Sequence, residues 1–109
     1  MKMPDKWEIW NAKVKFEDDP NTVKERPVLV IDKSNCFLIS LKITSHEPRE
    51  QCYGEYQIIK WQEAGLSEES TIRCTKRLML VETDFLNQRG TLQPIDISNI
   101  RALLSVIIY

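Results

Sequence analysis

Arg26-Pro27-Val28-Leu29-Val30-Ile31 is the stretch on which the reading of this chain turns. Val28 to Ile31 is apolar without alternation, which describes a strand covered on both faces, at the centre of a sheet. Pro27 has no N–H to give to a ladder and is expected at the start of that strand. Arg26 then stands at the strand end, with a guanidinium that is always charged and offers a rigid fork of donors suited to phosphate oxygens. A second arginine, Arg73, sits inside Ser70-Thr71-Ile72-Arg73-Cys74, and Ile43-Thr44-Ser45 closes an apolar run between the two. Two guanidinium groups against short strands, with hydroxyls nearby, read as a phosphodiester site that needs no metal.

The flanking sequence extends a β pattern in both directions. Lys6 to Phe16 alternates, with Trp10, Ala12, Val14 and Phe16 on one face and Asn11, Lys13 and Lys15 on the other. Glu17 to Glu25 reads as a polar loop, and Asp32 to Asn35 carries turn chemistry. Cys36 to Thr44 is a third strand, with Phe37, Ile39, Leu41 and Ile43 on one side and Leu38, Ser40, Lys42 and Thr44 on the other. Ser45 to Glu55 is a long polar loop, followed by a short strand at Tyr56 to Ile59 and a turn through Trp61 to Gly65. Thr71 to Cys74 and Leu78 to Glu82 are two strands, or one bent strand broken at Lys76-Arg77, and Thr91 to Pro94 is a short edge strand. Asp96 is the expected N-cap of a terminal helix on which Ile97, Ile100, Leu103, Leu104 and Ile107 recur at helical spacing. Five or six short strands and one helix over residues 1–109 predict one domain, a small antiparallel barrel with a C-terminal helix.

Composition narrows the function classes. Apolar residues make up 42%, enough for a packed core, and 15 Lys/Arg against 16 Asp/Glu give a formal charge of -1. Bulk attraction to nucleic acid is therefore absent, and any RNA binding has to come from a local basic patch. The three cysteines, Cys36, Cys52 and Cys74, show no Cys-x-x-Cys spacing, and the single histidine is His46. That set offers no recognisable metal site and fits reduced cysteines in a cytoplasmic protein. No apolar run approaches the roughly 20 residues of a membrane span, and no hydrophobic segment follows the charged N-terminus as in a signal peptide.

In order along the chain, these segments resemble the MazF/PemK toxins of bacterial type II toxin–antitoxin systems. Trp7-Glu8-Ile9-Trp10 looks like the opening Gly-Glu-Ile-Trp strand of that family, with Trp7 in place of the glycine. Arg26 to Ile31 is similar to its Arg-Pro-Val-Leu-Val strand, and Ile43-Thr44-Ser45 to its Val-Thr-Ser strand end. Ala64-Gly65-Leu66 followed by Ser70 to Cys74 resembles its Gly-Leu and Ser-Val-Val-Arg-Cys segments, and the terminal helix falls where the family has one. The resemblance implies an SH3-like barrel homodimer that cleaves single-stranded mRNA without a metal or other cofactor. It leaves 2′,3′-cyclic phosphate and 5′-hydroxyl ends and is held in check by a cognate antitoxin.

The resemblance carries Arg26, Thr44, Ser45 and Arg73 into the site. Period-2 alternation adds Thr71 and Thr75 on the face of Arg73. Lys24, Lys76 and Tyr53 complete the expected RNA contacts, Tyr53 by stacking on an unpaired base. Each has an ordinary alternative: Arg26 paired with Glu25 or the Asp18-Asp19 loop, Lys76-Arg77 a solvated break, Tyr53 and Tyr56 packing residues, Trp7, Trp10 and Trp61 core or dimer-interface residues. Two departures concern proton transfer. Some members have an acid two residues after the second arginine, where this chain has Thr75, and others a histidine before Arg-Pro, where it has none. His46, two residues after Thr44 and with an ordinary pKa of about 6.5, is either the replacement base or a solvated loop histidine. Two other classes compete with the nuclease: a catalytically silent RNA- or protein-binding module on the same barrel, and a gyrase poison of the CcdB type acting through its terminal helix.

Overall fold

The computed structural model describes residues 3–15, 21–45 and 53–107. Six strands, β1 (Glu8–Lys15), β2 (Val23–Lys33), β3 (Leu38–Thr44), β4 (Glu55–Gln57), β5 (Thr71–Leu80) and β6 (Phe85–Thr91), precede one helix, α1 (Pro94–Leu104). All strand pairs are antiparallel, in the order β4-β5-β3-β2-β1-β6. The mainly β architecture with a terminal helix is as the sequence predicts. The ladder formed by the described residues ends at β4 on one side and β6 on the other, so the expected barrel is not closed by strand pairing.

Both faces of the sheet are buried, which is why β2 reads as continuously apolar. Ile9, Leu29, Leu41, Ile43 and Ile72 face a first core completed by Ile58, Leu66, Leu92 and Ile100. Their strand neighbours Trp10, Val28 and Val30 face a second core with Ala12, Val14, Leu38 and Phe85. Trp10 meets Phe85 edge-on, with ring centroids 6.0 Å apart. Helix α1 buries Ile100 and packs Ile97, Leu103 and Leu104 on the first core, and Ile107 joins them beyond its end.

Several expected boundaries move, each for a physical reason. Val23-Lys24-Glu25, expected in a loop, already pairs with β1, at Lys15, Val14 and Lys13. β3 joins β2 only at Val28, so this end of β2 is a two-stranded ribbon open to water and can be polar. Pro27 lies inside the strand, still on the side where β2 has one neighbour and a missing N–H breaks no second ladder. The two β segments around Lys76 are one strand. Lys42 pairs with Arg73 while Leu41 pairs with Arg77, so Cys74-Thr75-Lys76 bulge out and bend β5. The edge strand expected at Thr91 to Pro94 is not there: β6 runs from Phe85 to Thr91, sharing only Thr91 with it, and Pro94 already opens the helix.

Asp96 is not the N-cap. Gln93 holds that position with Pro94 as the first helical residue, and Asp96 is fully buried two residues further on, still in the first turn. Glu8 is also buried, and its carboxylate accepts hydrogen bonds from Trp10 Nε1 (3.0 Å), Gln88 Nε2 (3.1 Å) and the Asp5 N–H (2.8 Å). The Glu and Trp of the opening strand are thus partners that tie β1 to β6. Trp7 has φ 72°, the left-handed region where a glycine pays no Cβ penalty. Its N–H donates to Val30 O at 2.7 Å and its carbonyl accepts from Leu92 N at 2.8 Å, which holds it there.

Candidate active site

An open cavity of about 440 Å³ is lined by Arg26, Pro27, Lys42, Ile43, Thr44, Ser45, Leu66, Ser67, Glu68, Ser70, Arg73 and Arg89. The residues converge because of strand register. Lys42 and Thr44 alternate on β3, and Lys42 lies directly across from Arg73 on β5. Arg26 comes from β2, opposite Ala12. Arg89 comes from β6, at the far end of the strand order, so the wall of the cavity is where the sheet curls back on itself. Two glycines set that approach. A Cβ on Gly90 would lie 2.1 Å from Ala64 O, and one on Gly65 2.1 Å from Arg89 O. The turn before Leu66 therefore packs backbone to backbone on β6, which places Arg89 beside Leu66, Ser67 and Glu68.

Charge at the cavity is one-sided. Arg26, Lys42, Arg73 and Arg89 line it, and among the described residues Glu68 is the one lining acid. Arg26 is exposed, and its Nη1 donates to the carbonyl of Glu25 at 3.4 Å, a backbone contact and not the pairing with the Glu25 side chain that is its ordinary alternative. Arg89 Nη1 donates to Asn11 Oδ1 at 3.2 Å. Arg73 pairs through Nε with Glu55 Oε2 at 3.4 Å, where Arg73 is 23% and Glu55 5% exposed. The hydroxyl of Ser70 donates to Glu68 O at 2.9 Å, which shapes the turn into β5. Burial pushes the Cys74 thiol up to about 12, so it stays protonated and is no nucleophile at neutral pH.

Of the expected site residues, Arg26, Thr44, Ser45 and Arg73 come together in this cavity. His46 lies outside the described residues, as do Cys52 and the Glu17-Asp18-Asp19 run. Thr71 is buried and is not among the lining side chains. Thr75 and Lys76 are carried away by the bulge into an adjoining recess of about 240 Å³, lined by Val14, Lys15, Lys42, Thr75, Lys76, Arg77 and Leu78. Lys42 belongs to both. Lys24, on the β1–β2 ribbon, lines neither. Tyr53 is exposed but lines neither, and its hydroxyl donates to Val106 O at 3.2 Å. Ser40, expected on the polar face of Thr44, is buried and donates to Leu38 O. Sequence reasoning missed Arg89, because β6 shows no alternation, and Glu55, whose neighbour across the sheet no local pattern announces.

A curled antiparallel β-sheet with a terminal helix and an open cavity lined by arginines and hydroxyls defines the class as a small barrel-like domain. The chain belongs to the family of PemK-like, MazF-like toxins of type II toxin-antitoxin systems, which matches residues 5–108. Solved structures share its fold. An endoribonuclease from a mycobacterial species superposes with TM-score 0.70 at 10% identity, covering 96% of this chain and 90% of that one. An endoribonuclease in complex with its cognate antitoxin, also mycobacterial, gives 0.69 at 11% identity, covering 94% and 91%. The Mycobacterium tuberculosis toxin MazF-mt6 gives 0.68 at 18% identity, covering 90% and 92%. No curated protein matches the chain.

Proposed function

We propose that this toxin is a sequence-selective endoribonuclease that cuts single-stranded mRNA, with the substrate's own 2′-hydroxyl as nucleophile. The observation that carries the reading is the meeting of Arg26, Arg73, Thr44 and Ser45 in one open cavity of a chain whose family is defined by toxins. Attack on the adjacent phosphorus expels the 5′-oxygen and leaves a 2′,3′-cyclic phosphate. Negative charge builds on the non-bridging oxygens, and guanidinium groups held in place before the reaction stabilise it. Arg73 and Arg26 take this role, because an arginine with a pKa above ~12 is a poor proton donor. The hydroxyls of Thr44 and Ser45 donate to the same oxygens. His46 is the proposed proton acceptor, so His46→Ala is expected to remove an acid limb near pH ~6.5 from the pH–rate profile; full activity of that variant from pH 5 to 9 would exclude it.

The adjoining recess extends the reading to binding. Lys15, Lys76 and Arg77 continue the cationic lining through the shared Lys42, so a strand cut in the first cavity has a path for its flanking phosphates. In this reading the protein acts as a homodimer in the cytoplasm and is silenced by a cognate antitoxin. The test is incubation of purified protein with a long single-stranded RNA in chelator, followed by mapping of cut sites and end groups. Cyclic phosphate ends from the wild type, reduced about 10²–10³-fold by Arg73→Ala, support the nuclease. Uncut but retained RNA would favour the silent binding module, the reading that Thr75 in place of an acid supports. The gyrase-poison reading loses ground because α1 spends its apolar face on the core.

A further inference from the structure

Among the described residues, Glu55 is the acidic side chain that pairs with Arg73. The position two residues along β5, where an acid would lie on the same strand, is Thr75, and the bulge takes that residue into the next recess. Across the sheet the arrangement differs: the β4–β5 register sets Glu55 directly opposite Arg73. Oε2 lies 3.4 Å from Arg73 Nε, and only 5% of the Glu55 side chain is exposed. An exposed ion pair contributes little and asks for no burial. A carboxylate this buried carries a desolvation cost, so its placement calls for a function beyond a surface charge pair.

We infer that Glu55 is a positioning residue for Arg73, holding the Nε edge of the guanidinium so that both Nη groups are left for the scissile phosphate. The inference rests on the nuclease reading above. Arginine has five N–H donors in a fixed plane, and one of them is on Nε. Pinning Nε fixes that plane and leaves the four Nη donors in the cavity that Arg73 lines. A guanidinium already fixed in orientation loses less side-chain freedom when charge develops on the phosphorane, and such preorganisation acts on the chemical step rather than on ground-state binding.

The test uses the full chain and a short fluorogenic RNA, with kcat and KM measured separately for wild type, Glu55→Ala, Glu55→Gln, Arg73→Ala and the double variants. Glu55→Ala is expected to lower kcat about 30- to 100-fold with KM within about twofold, the signature of an interaction felt in the transition state. Glu55→Gln removes the charge of the ion pair but keeps the side chain's shape and a polar oxygen beside Nε, and should recover all but about tenfold. Adding Glu55→Ala to Arg73→Ala should cost nothing further, since the two act as one unit. Wild-type kcat in Glu55→Ala, or losses that multiply in the double variant, overturn the inference. Where circular dichroism shows Glu55→Ala unfolded, the near-isosteric Glu55→Gln and its double variant carry the same comparison. A wild-type protein that leaves RNA intact refutes the nuclease reading itself, whereas one that cuts RNA at a rate Glu55 does not influence refutes this inference alone.

Discussion

Tyr56 donates its phenolic hydrogen to Asp96 Oδ1 at 2.5 Å, joining the short strand β4 to the first turn of α1. Asp96 also accepts from the backbone N–H groups of Ile59 and Lys60, both at 2.9 Å. Three donors from β4 and the loop after it thus converge on one buried carboxylate, and that loop runs on to Leu66 and the cavity wall. Asp96→Ala strands all three. An unpaired buried donor costs about 1–3 kcal/mol, and these three bonds are only part-buried, so each loss falls toward the low end of that range. We expect a loss of about 3–5 kcal/mol, measured by urea unfolding. Asp96→Asn, which keeps one acceptor oxygen, should lose less. A loss below about 1 kcal/mol in Asp96→Ala would show that the loop is held by its apolar packing alone.

Asp96 also marks where sequence reading stops. An aspartate ahead of an apolar helical repeat is favoured both as an N-cap and in the first turn, where it meets the positive end of the helix. Only its partners on β4, about 40 residues away along the chain, separate the two. The central strand was legible because burial on both faces leaves Val28 to Ile31 continuously apolar. β6 was not, because its exposed middle, Leu86-Asn87-Gln88, has no face to alternate, and Arg89 was lost with it. Arg26, Thr44 and Arg73 could be named from local motifs, whereas Glu55 could not, since register across a sheet is set by tertiary structure.

Stability should fall steeply on the alkaline side. Burial raises the Cys74 thiol from 9.0 to about 12. Burial, then the hydrogen bond to Asp96, raises the Tyr56 phenol from 10.0 to about 12. Both folded-state values exceed the unfolded ones, so the folded chain holds these protons more tightly. Their contribution is complete below pH 9, starts to drain as the unfolded thiol ionises, and is lost as pH approaches 12. A series of unfolding curves from pH 8 to 11.5 should show this decline, and Tyr56→Phe should flatten the part above pH 10. Thiol labelling gives a second readout: at pH 8 the exposed Cys36 should react in the native protein and the buried Cys74 only on unfolding.

Gly90→Ala should damage both the fold and the cavity. The new methyl group would sit 2.1 Å from Ala64 O, a backbone atom, so the turn before Leu66 has to retreat from β6. Overpacking of this kind typically costs 1–3 kcal/mol, and against rigid backbone we expect about 3 kcal/mol. Arg89 precedes the strained residue, so RNA cleavage at a temperature where the variant is still folded should also drop, in parallel with Arg89→Ala. Full cleavage by folded Gly90→Ala would mean that Arg89 contributes nothing to the site.

The recess beside the cavity makes a distinct kinetic prediction. Replacing Lys15, Lys76 and Arg77 together by glutamine removes cations that, on the proposed RNA path, would face flanking phosphates rather than the reacting one. KM should rise about tenfold with kcat within about twofold, because binding is lost equally from substrate and transition state. Each phosphate contact on a single strand contributes about 0.7 to the slope of log affinity against log salt. The triple variant should therefore flatten that slope by about 2. An unchanged slope would place the RNA path on another surface.

Trp7→Gly sets two effects against each other. Glycine removes the strain of a Cβ in the left-handed region, a gain of about 1–2 kcal/mol, part of which is returned as chain entropy of the unfolded state. The indole, however, is half-buried against the first core, with Lys6 Nζ 5.3 Å and the Arg101 guanidinium carbon 5.7 Å from its ring centroid. Removing a fully buried tryptophan costs about 3–5 kcal/mol. Half of that, with about 0.5–1 kcal/mol for each cation over the ring, exceeds the relief of strain. The variant should be less stable by about 2–3 kcal/mol in chemical denaturation, while the hydrogen bonds from Trp7 N to Val30 O and from Leu92 N to Trp7 O persist in glycine. A more stable Trp7→Gly would mean that the backbone strain at this position outweighs everything its side chain touches.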